Sequence, residues 1–192
     1  MVMLQFSAVA TCTVLLSLAA SSLAGDADML QDVCVADLAS QRRQHQQPGR
    51  VERHAANVQS FPGVNTLGVS MARIDYAPGG QNPPHTHLRA TEIIFVTQGI
   101  LEVGFITTAN KLFTKTVTVG DVFVFPRGLV HFQQNRGRGP ASVIAGFNSQ
   151  LQGTQVIATT LFAAAPPVPS DVLAKAFRID NGQVDAIKAK FM

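Results

Sequence analysis

From Phe61 onward the chain is a succession of short runs of β-branched and aromatic residues, each closed by glycine, proline or asparagine. The runs read "NTLGVSMARIDYAPGG", "TEIIFVTQG", "ILEVGFIT", "KLFTKTVTV", "DVFVFP", "ASVIAGFNS" and "TQVIATTLF". Segments this short, punctuated this regularly, predict an all-β sandwich or barrel. A strand places alternate residues on one face, so Leu67, Val69, Met71 and Arg73 fall together. The pattern changes near the C-terminus. Ser170 can N-cap "DVLAKAF", with Leu173 and Phe177 one helical turn apart. Asn181 can start "GQVDAIKAKF", where Val184, Ile187 and Phe191 share a face. Two short amphipathic helices are predicted, their apolar faces packing on the barrel or meeting a partner subunit.

The N-terminal part has a different composition. Residues 1–24 carry no acidic or basic side chain, hold the apolar run "FSAVATCTVLLSLAA", and end in the small-x-small site Ser22-Leu23-Ala24. They read as a signal peptide. A membrane anchor needs about 20 apolar residues, and this run is shorter and broken by Thr and Ser. Cleavage removes Cys12 and leaves Cys34 either free or bridging two chains. Residues 25–56 open acidic and continue as "SQRRQHQQPGRVERHAANVQS", a Gln/Arg-rich tract that reads as solvated loop, partly disordered. His45 and His54 within it read as plain surface residues. The expected organisation is therefore signal peptide 1–24, N-terminal segment 25–56, and barrel plus C-terminal helices 57–192. With 192 residues, 46% hydrophobic and 14% charged, the chain can bury one core. A net charge of +3 without a Lys/Arg run argues against a nucleic-acid partner. Asn148 is followed by Ser149 and Gln150, so it makes no glycosylation sequon.

Chemistry concentrates in two segments. In "GGQNPPHTHLRATEIIFVTQG", Gly79 to Gly99, the strand period puts His85 and His87 on one face and Thr86 on the other. "LRA" turns the chain, and Glu92 opens the next strand. A carboxylate there is costly to bury without a cation. In "GDVFVFPRGLVHFQQN", Pro126 and Gly128 suit positions i+1 and i+3 of a type I turn. His131 follows, between Val130 and Phe132. Taken alone, His131 reads as a hydrogen-bonded core histidine, and the paired histidines have a spacing that also arises without a metal. Taken together, three histidines and a glutamate make an N3O set that leaves an octahedral ion two open positions. Ligand chemistry alone admits manganese, zinc or iron.

The two segments resemble the two boxes of the cupin superfamily, in the form found in plant germins and germin-like proteins. The first, G-x5-H-x-H-x4-E-x6-G, is met by Gly79, His85, His87, Glu92 and Gly99; the second, G-x5-P-x-G-x2-H-x3-N, by Gly120, Pro126, Gly128, His131 and Asn135. "QDVCVAD", "NKLFTK", "GFNSQ" and "PPVPSDVLAKAF" are similar to germin-like sequence as well. The resemblance implies a jelly-roll β-barrel with a mononuclear manganese site held by His85, His87, Glu92 and His131. It also implies a homohexamer, a trimer of dimers clasped by the C-terminal helices. Such proteins are secreted to the plant apoplast and cell wall, with roles in plant defence and no membrane attachment after signal cleavage.

Oxalate-oxidising germins hold substrate with two asparagines. One matches Asn82; the other falls at Ala72. A methyl group cannot donate to a carboxylate, a loss of roughly 1.5–3 kcal/mol, so oxalate oxidation is disfavoured. The leading expectation is superoxide dismutation, with Asn135 orienting water near the metal. The alternative is a non-enzymatic wall-binding or nutrient-reservoir protein in which metal is a structural staple. Germin-like proteins usually pair the cysteine of "QDxCVAD" with a second one downstream; after Cys34 this chain has none, and its Gln/Arg-rich tract resembles a shortened version of that region.

Overall fold

The punctuated runs become strands because each is just long enough to cross a barrel wall before a turn residue ends it. The computed structural model describes residues 49–191. The expected signal peptide, Cys34 and His45 lie outside the described residues. The strands are β1 (Val51–Ala56), β2 (Ser70–Tyr76), β3 (Gln81–His87), β4 (Glu92–Gln98) and β5 (Ile100–Ile106). They continue as β6 (Leu112–Thr118), β7 (Val122–Phe125), β8 (His131–Gln134), β9 (Ala141–Phe147) and β10 (Thr154–Val156). Helices α1 (Ile157–Phe162), α2 (Ser170–Phe177) and α3 (Asn181–Lys188) follow. The strands form two five-stranded sheets, in the orders β1-β2-β9-β4-β7 and β10-β3-β8-β5-β6. Every recorded pairing is antiparallel. This is the jelly-roll barrel expected.

The core lies between the inner faces. Ile74 and Tyr76 of β2, Ile94 and Val96 of β4, Leu101 and Val103 of β5, Val117, Phe125, Val143 and Phe147 are all buried there. Alternation holds along β4: Ile94 and Val96 are fully buried, while Ile93 and Phe95 are about half exposed. On β2 the inward residues are Ala72, Ile74 and Tyr76, and Met71 stands on the outer face. The aligned set Leu67, Val69 and Met71 therefore lies exposed.

Three segments differ from the sequence reading. Val51–Ala56, assigned to the solvated tract, is a strand; all six residues pair with β2, from Val51 opposite Tyr76 to Ala56 opposite Met71. Polar residues hide it because it is an edge strand whose outer face carries Glu52 and His54. His54 is correspondingly no plain surface residue: its Nε2 lies 3.6 Å from Asp75 Oδ2 and 3.9 Å from Glu52 Oε2. The run "TQVIATTLF" divides into a three-residue strand and a helix. Val156 pairs with His85, and the next residues of β3 in that direction are Pro84 and Pro83, which have no N–H to offer. The chain leaves the sheet where its partner stops donating. Finally, Ser170 is the first residue of α2 rather than its cap. Its Oγ donates to Asp185 Oδ1 (2.6 Å) and accepts from Lys188 Nζ (3.0 Å), joining α2 to α3. Asp180 caps α3 through a reciprocal bond pair with Gln183.

Two glycines of the first motif separate backbone strain from crowding. Gly79 and Gly99 have φ of 73° and 74°. A Cβ at Gly79 meets nothing within 4 Å, whereas at Gly99 it would lie 2.8 Å from Ala141 Cα and run into the Pro140 carbonyl. Gly79→Ala is expected to cost about 1–2 kcal/mol from left-handed backbone alone. Gly99→Ala should add about 1–3 kcal/mol of overpacking. Urea midpoints of the two variants, measured side by side, check the order.

Candidate metal centre

The two sheets contribute different chemistry. Strand β3 presents His85 and His87, and β8 presents His131, which pairs in register with His85. Glu92, the first residue of β4, comes from the opposing sheet, in register with Phe125 and Phe147. The Pro126–Gly128 turn binds the two sequence segments together: Gly128 N–H donates to the His87 carbonyl (3.0 Å) and Arg127 Nε to the Leu88 carbonyl (2.8 Å). The four ligand atoms lie within 4.8 Å of one another, and all four residues are buried.

Backbone contacts fix the imidazole protons. His85 Nδ1 lies 2.8 Å from the Pro83 carbonyl, and His131 Nδ1 lies 2.8 Å from the Leu129 carbonyl. A carbonyl only accepts, so each Nδ1 carries a proton, which leaves Nε2 as the atom that either ring turns inward. His87 Nδ1 meets Thr154 Oγ1 at 3.1 Å. Such outer partners orient metal-ligating histidines. The Nε2 atoms of His87 and His131 stand 3.0 and 3.1 Å from Glu92 Oε2, and Glu92 Oε1 has no hydrogen-bond partner among the described residues. Wherever such an Nε2 is bare, two acceptors face one another at this distance, an arrangement that a positive centre between them would reconcile. The donor set fits a divalent cation, with three imidazole nitrogens and one carboxylate oxygen.

The electrostatics agree. Burial, reinforced by neighbouring His131, lowers the His85 pKa from 6.5 to about 3. Burial alone would raise the Glu92 carboxyl, but the imidazoles of His131 and His87 outweigh it and bring it to about 2. The site therefore holds a neutral His85 and an ionised Glu92 at neutral pH. Burial and the Glu92 charge raise the nearby Tyr76 phenol well above its usual value, against a lowering pull from Arg53.

The structure brings Asn82 to the group and engages Asn135 elsewhere. Asn82 Nδ2 lies 3.5 Å from His85 Nε2 and donates to Gln133 Oε1 (2.6 Å). Asn135 Nδ2 donates to the carbonyls of Tyr76, Ala77 and Gly139, and its Oδ1 accepts from Gly137 N–H. Its recorded bonds thus go to backbone, so it ties the β2–β3 turn to the β8–β9 loop. Sequence reasoning missed Gln133, Tyr76, Thr154 and Arg53. Gln133 was within reach, standing two residues after His131 on the same strand face. Thr154 reaches His87 only through the pairing of β10 with β3.

Residues 37–185 match the Cupin family model. Germin-like protein 1-1 of Oryza sativa subsp. japonica is 71% identical over 215 residues, covering 100% of both chains. The chain belongs to the germin-like proteins of the cupin family. Another relative of this germin-like chain is Nectarin-1 of Nicotiana langsdorffii x Nicotiana sanderae, 55% identical over 192 residues, covering 88% of this chain and 84% of its own. Among solved structures, an oxalate oxidase in complex with the substrate analogue glycolate superposes with a TM-score of 0.77 at 44% identity, covering 89% of this chain and 84% of that one.

For the metal-stripped germin-like protein the two shifts act in one direction. Between pH 6.5 and about 3 the unfolded chain binds a proton at His85 that the folded chain refuses, so stability falls as pH drops through that window. Stabilisation from Glu92, complete above 4.5, is lost as pH falls toward 2. Urea unfolding of chelated protein from pH 8 downward should show this slope, and His85→Gln should flatten its upper part.

Proposed function

We propose that this germin-like chain is a secreted protein of the plant apoplast that holds manganese through His85, His87, Glu92 and His131 and dismutates superoxide. The observation that carries the reading is the convergence of three imidazole nitrogens and an ionised carboxylate on one buried point. Bound manganese would supply one-electron exchange between adjacent oxidation states, the chemistry that converts two superoxide ions and two protons into dioxygen and hydrogen peroxide. The chain's own part is to hold three imidazoles by their outer nitrogens, keep Glu92 ionised, and exclude bulk water behind Phe125 and Phe147, whose rings lie against His131 and His87. Superoxide is small and needs little shape recognition, so the reading does not depend on a second substrate-holding amide. Assembly as a trimer of dimers fits the half-exposed apolar residues of the outer sheet face and of α2, including Phe95, Val122 and Phe177.

Oxalate oxidation is the second reading, favoured by the likeness to the glycolate-bound oxalate oxidase. Two features count against it. Ala72 is a buried methyl in the core of β2. The Asn82 amide is already engaged, with Oδ1 accepting from Arg53 and Nδ2 donating to Gln133. A wall-binding or nutrient-reservoir role would leave the site's electrostatics without a task.

The test is metal analysis of the purified secreted protein, with superoxide and oxalate assays beside His87→Ala. Manganese near one per chain with superoxide removal and little oxalate turnover is expected, and His87→Ala should lose metal and activity by about tenfold or more. Metal-loaded protein inert toward both substrates would overturn the enzymatic reading.

A further inference from the structure

The three histidines of the buried group are not held alike. The outer nitrogens of His85 and His131 face the carbonyls of Pro83 and Leu129, which only accept, so both rings keep a proton on Nδ1. The outer nitrogen of His87 faces a hydroxyl instead, Thr154 Oγ1, at 3.1 Å. A hydroxyl donates as readily as it accepts, so this contact satisfies His87 with its proton on either nitrogen. On the inner side His87 Nε2 stands 3.0 Å from Glu92 Oε2, an acceptor that favours a proton on Nε2.

The hydroxyl is held in place from outside the core. Thr154 pairs in register with His87 across β10 and β3, so the two side chains share a sheet face. Its branched Cβ restricts χ1, which keeps Oγ1 from swinging away. Strand β10 is the edge of its sheet and only three residues long. It runs directly into α1, where Phe162 packs on Phe177 of α2 and on Phe191, with ring centroids 5.5 and 6.4 Å apart. Thr154 itself is exposed, so water reaches this end of the contact. The outer partner of one imidazole is thus carried by the segment that leads into the C-terminal helices.

We propose that Thr154 is a positioning residue whose hydroxyl reverses its hydrogen bond to His87 when a divalent cation is bound. In metal-stripped protein Thr154 O–H donates to His87 Nδ1, and His87 Nε2–H donates to Glu92. In loaded protein Nε2 has given its proton to water and acts as a donor atom to the cation. Nδ1 has taken a proton from water, and Thr154 Oγ1 accepts from it. The ring stays neutral throughout, with one N–H broken and one formed. His85 and His131 face carbonyls and have no such freedom, so His87 alone among the three changes tautomer. The proposal deepens the reading of the same site and rests on it for the cation, while the contact in stripped protein stands without it.

The probe is zinc, a diamagnetic cation suited to nitrogen and oxygen donors. Protein isotope-labelled at histidine nitrogen is followed by NMR at alkaline pH, stripped and zinc-loaded, as wild type, Thr154→Val and Thr154→Ser. Competition with a chelator gives the zinc affinity of each. In wild type the His87 proton should sit on Nε2 when stripped and on Nδ1 when loaded, while His85 and His131 hold one on Nδ1 in both. Thr154→Val keeps the shape and loses the hydroxyl. It should shift the His87 Nδ1 resonance of stripped protein and weaken zinc binding about tenfold, with the melting temperature of stripped protein unchanged. Thr154→Ser should recover most of both. Thr154→Val with wild-type resonance and affinity would overturn the proposal. Zinc uptake with the His87 proton unmoved would overturn the reversal and leave the metal reading standing. No zinc uptake, with the Nδ1 resonance still dependent on Thr154, would uphold the hold of Thr154 on the ring and sink the metal reading.

Discussion

The barrel is organised around a carboxylate that it cannot leave uncompensated. Glu92 opens the central strand β4 with 1% of its surface exposed, and burying an isolated carboxylate is prohibitive. The atoms that answer it come from the other sheet, His87 Nε2 and His131 Nε2 at 3.0 and 3.1 Å. That demand couples parts of the chain far apart in sequence. The pairing of β3 with β8 must bring His85 opposite His131, β10 must deliver Thr154 to His87, and the Pro126–Gly128 turn must dock on the His87 backbone. A slip of one residue in any of these strands would turn these side chains out of the barrel.

The features legible in the sequence are those set by local periodicity. Two histidines one residue apart must share a strand face, and Gly99 closes that segment where only a glycine fits. The role of His131 was legible only in company with the first segment, because a single histidine in an apolar strand has no signature of its own. The misread elements depend on non-local partners. Strand β1 carries Glu52, Arg53 and His54 at its centre and becomes a strand because β2 offers it an edge. Strand β10 ends early because its partner runs into Pro84 and Pro83. Asn135 sits in a motif with the ligands, yet the carbonyls that claim its amide become neighbours only on folding.

The surroundings of the four-residue group are mixed in polarity. Ala72 and Ala145 face one another across β2 and β9 as small, buried, apolar groups. Arg53, Asn82, Gln133 and Tyr76 are linked in one chain of hydrogen bonds that joins the two sheets. The germin-like framework thus gathers His85, His87, Glu92 and His131 in one buried group that could hold a metal ion.

X-ray absorption spectroscopy at the edge of whichever metal co-purifies tests the central claim most directly, because it counts the atoms bound to the ion. The account predicts three imidazole nitrogens and a carboxylate oxygen, as the side-chain cluster provides, with the remaining positions filled by light oxygen donors and the imidazole scattering reduced by one ring in His131→Ala. A metal bound through sulfur, or an imidazole count unchanged by His131→Ala, would contradict it.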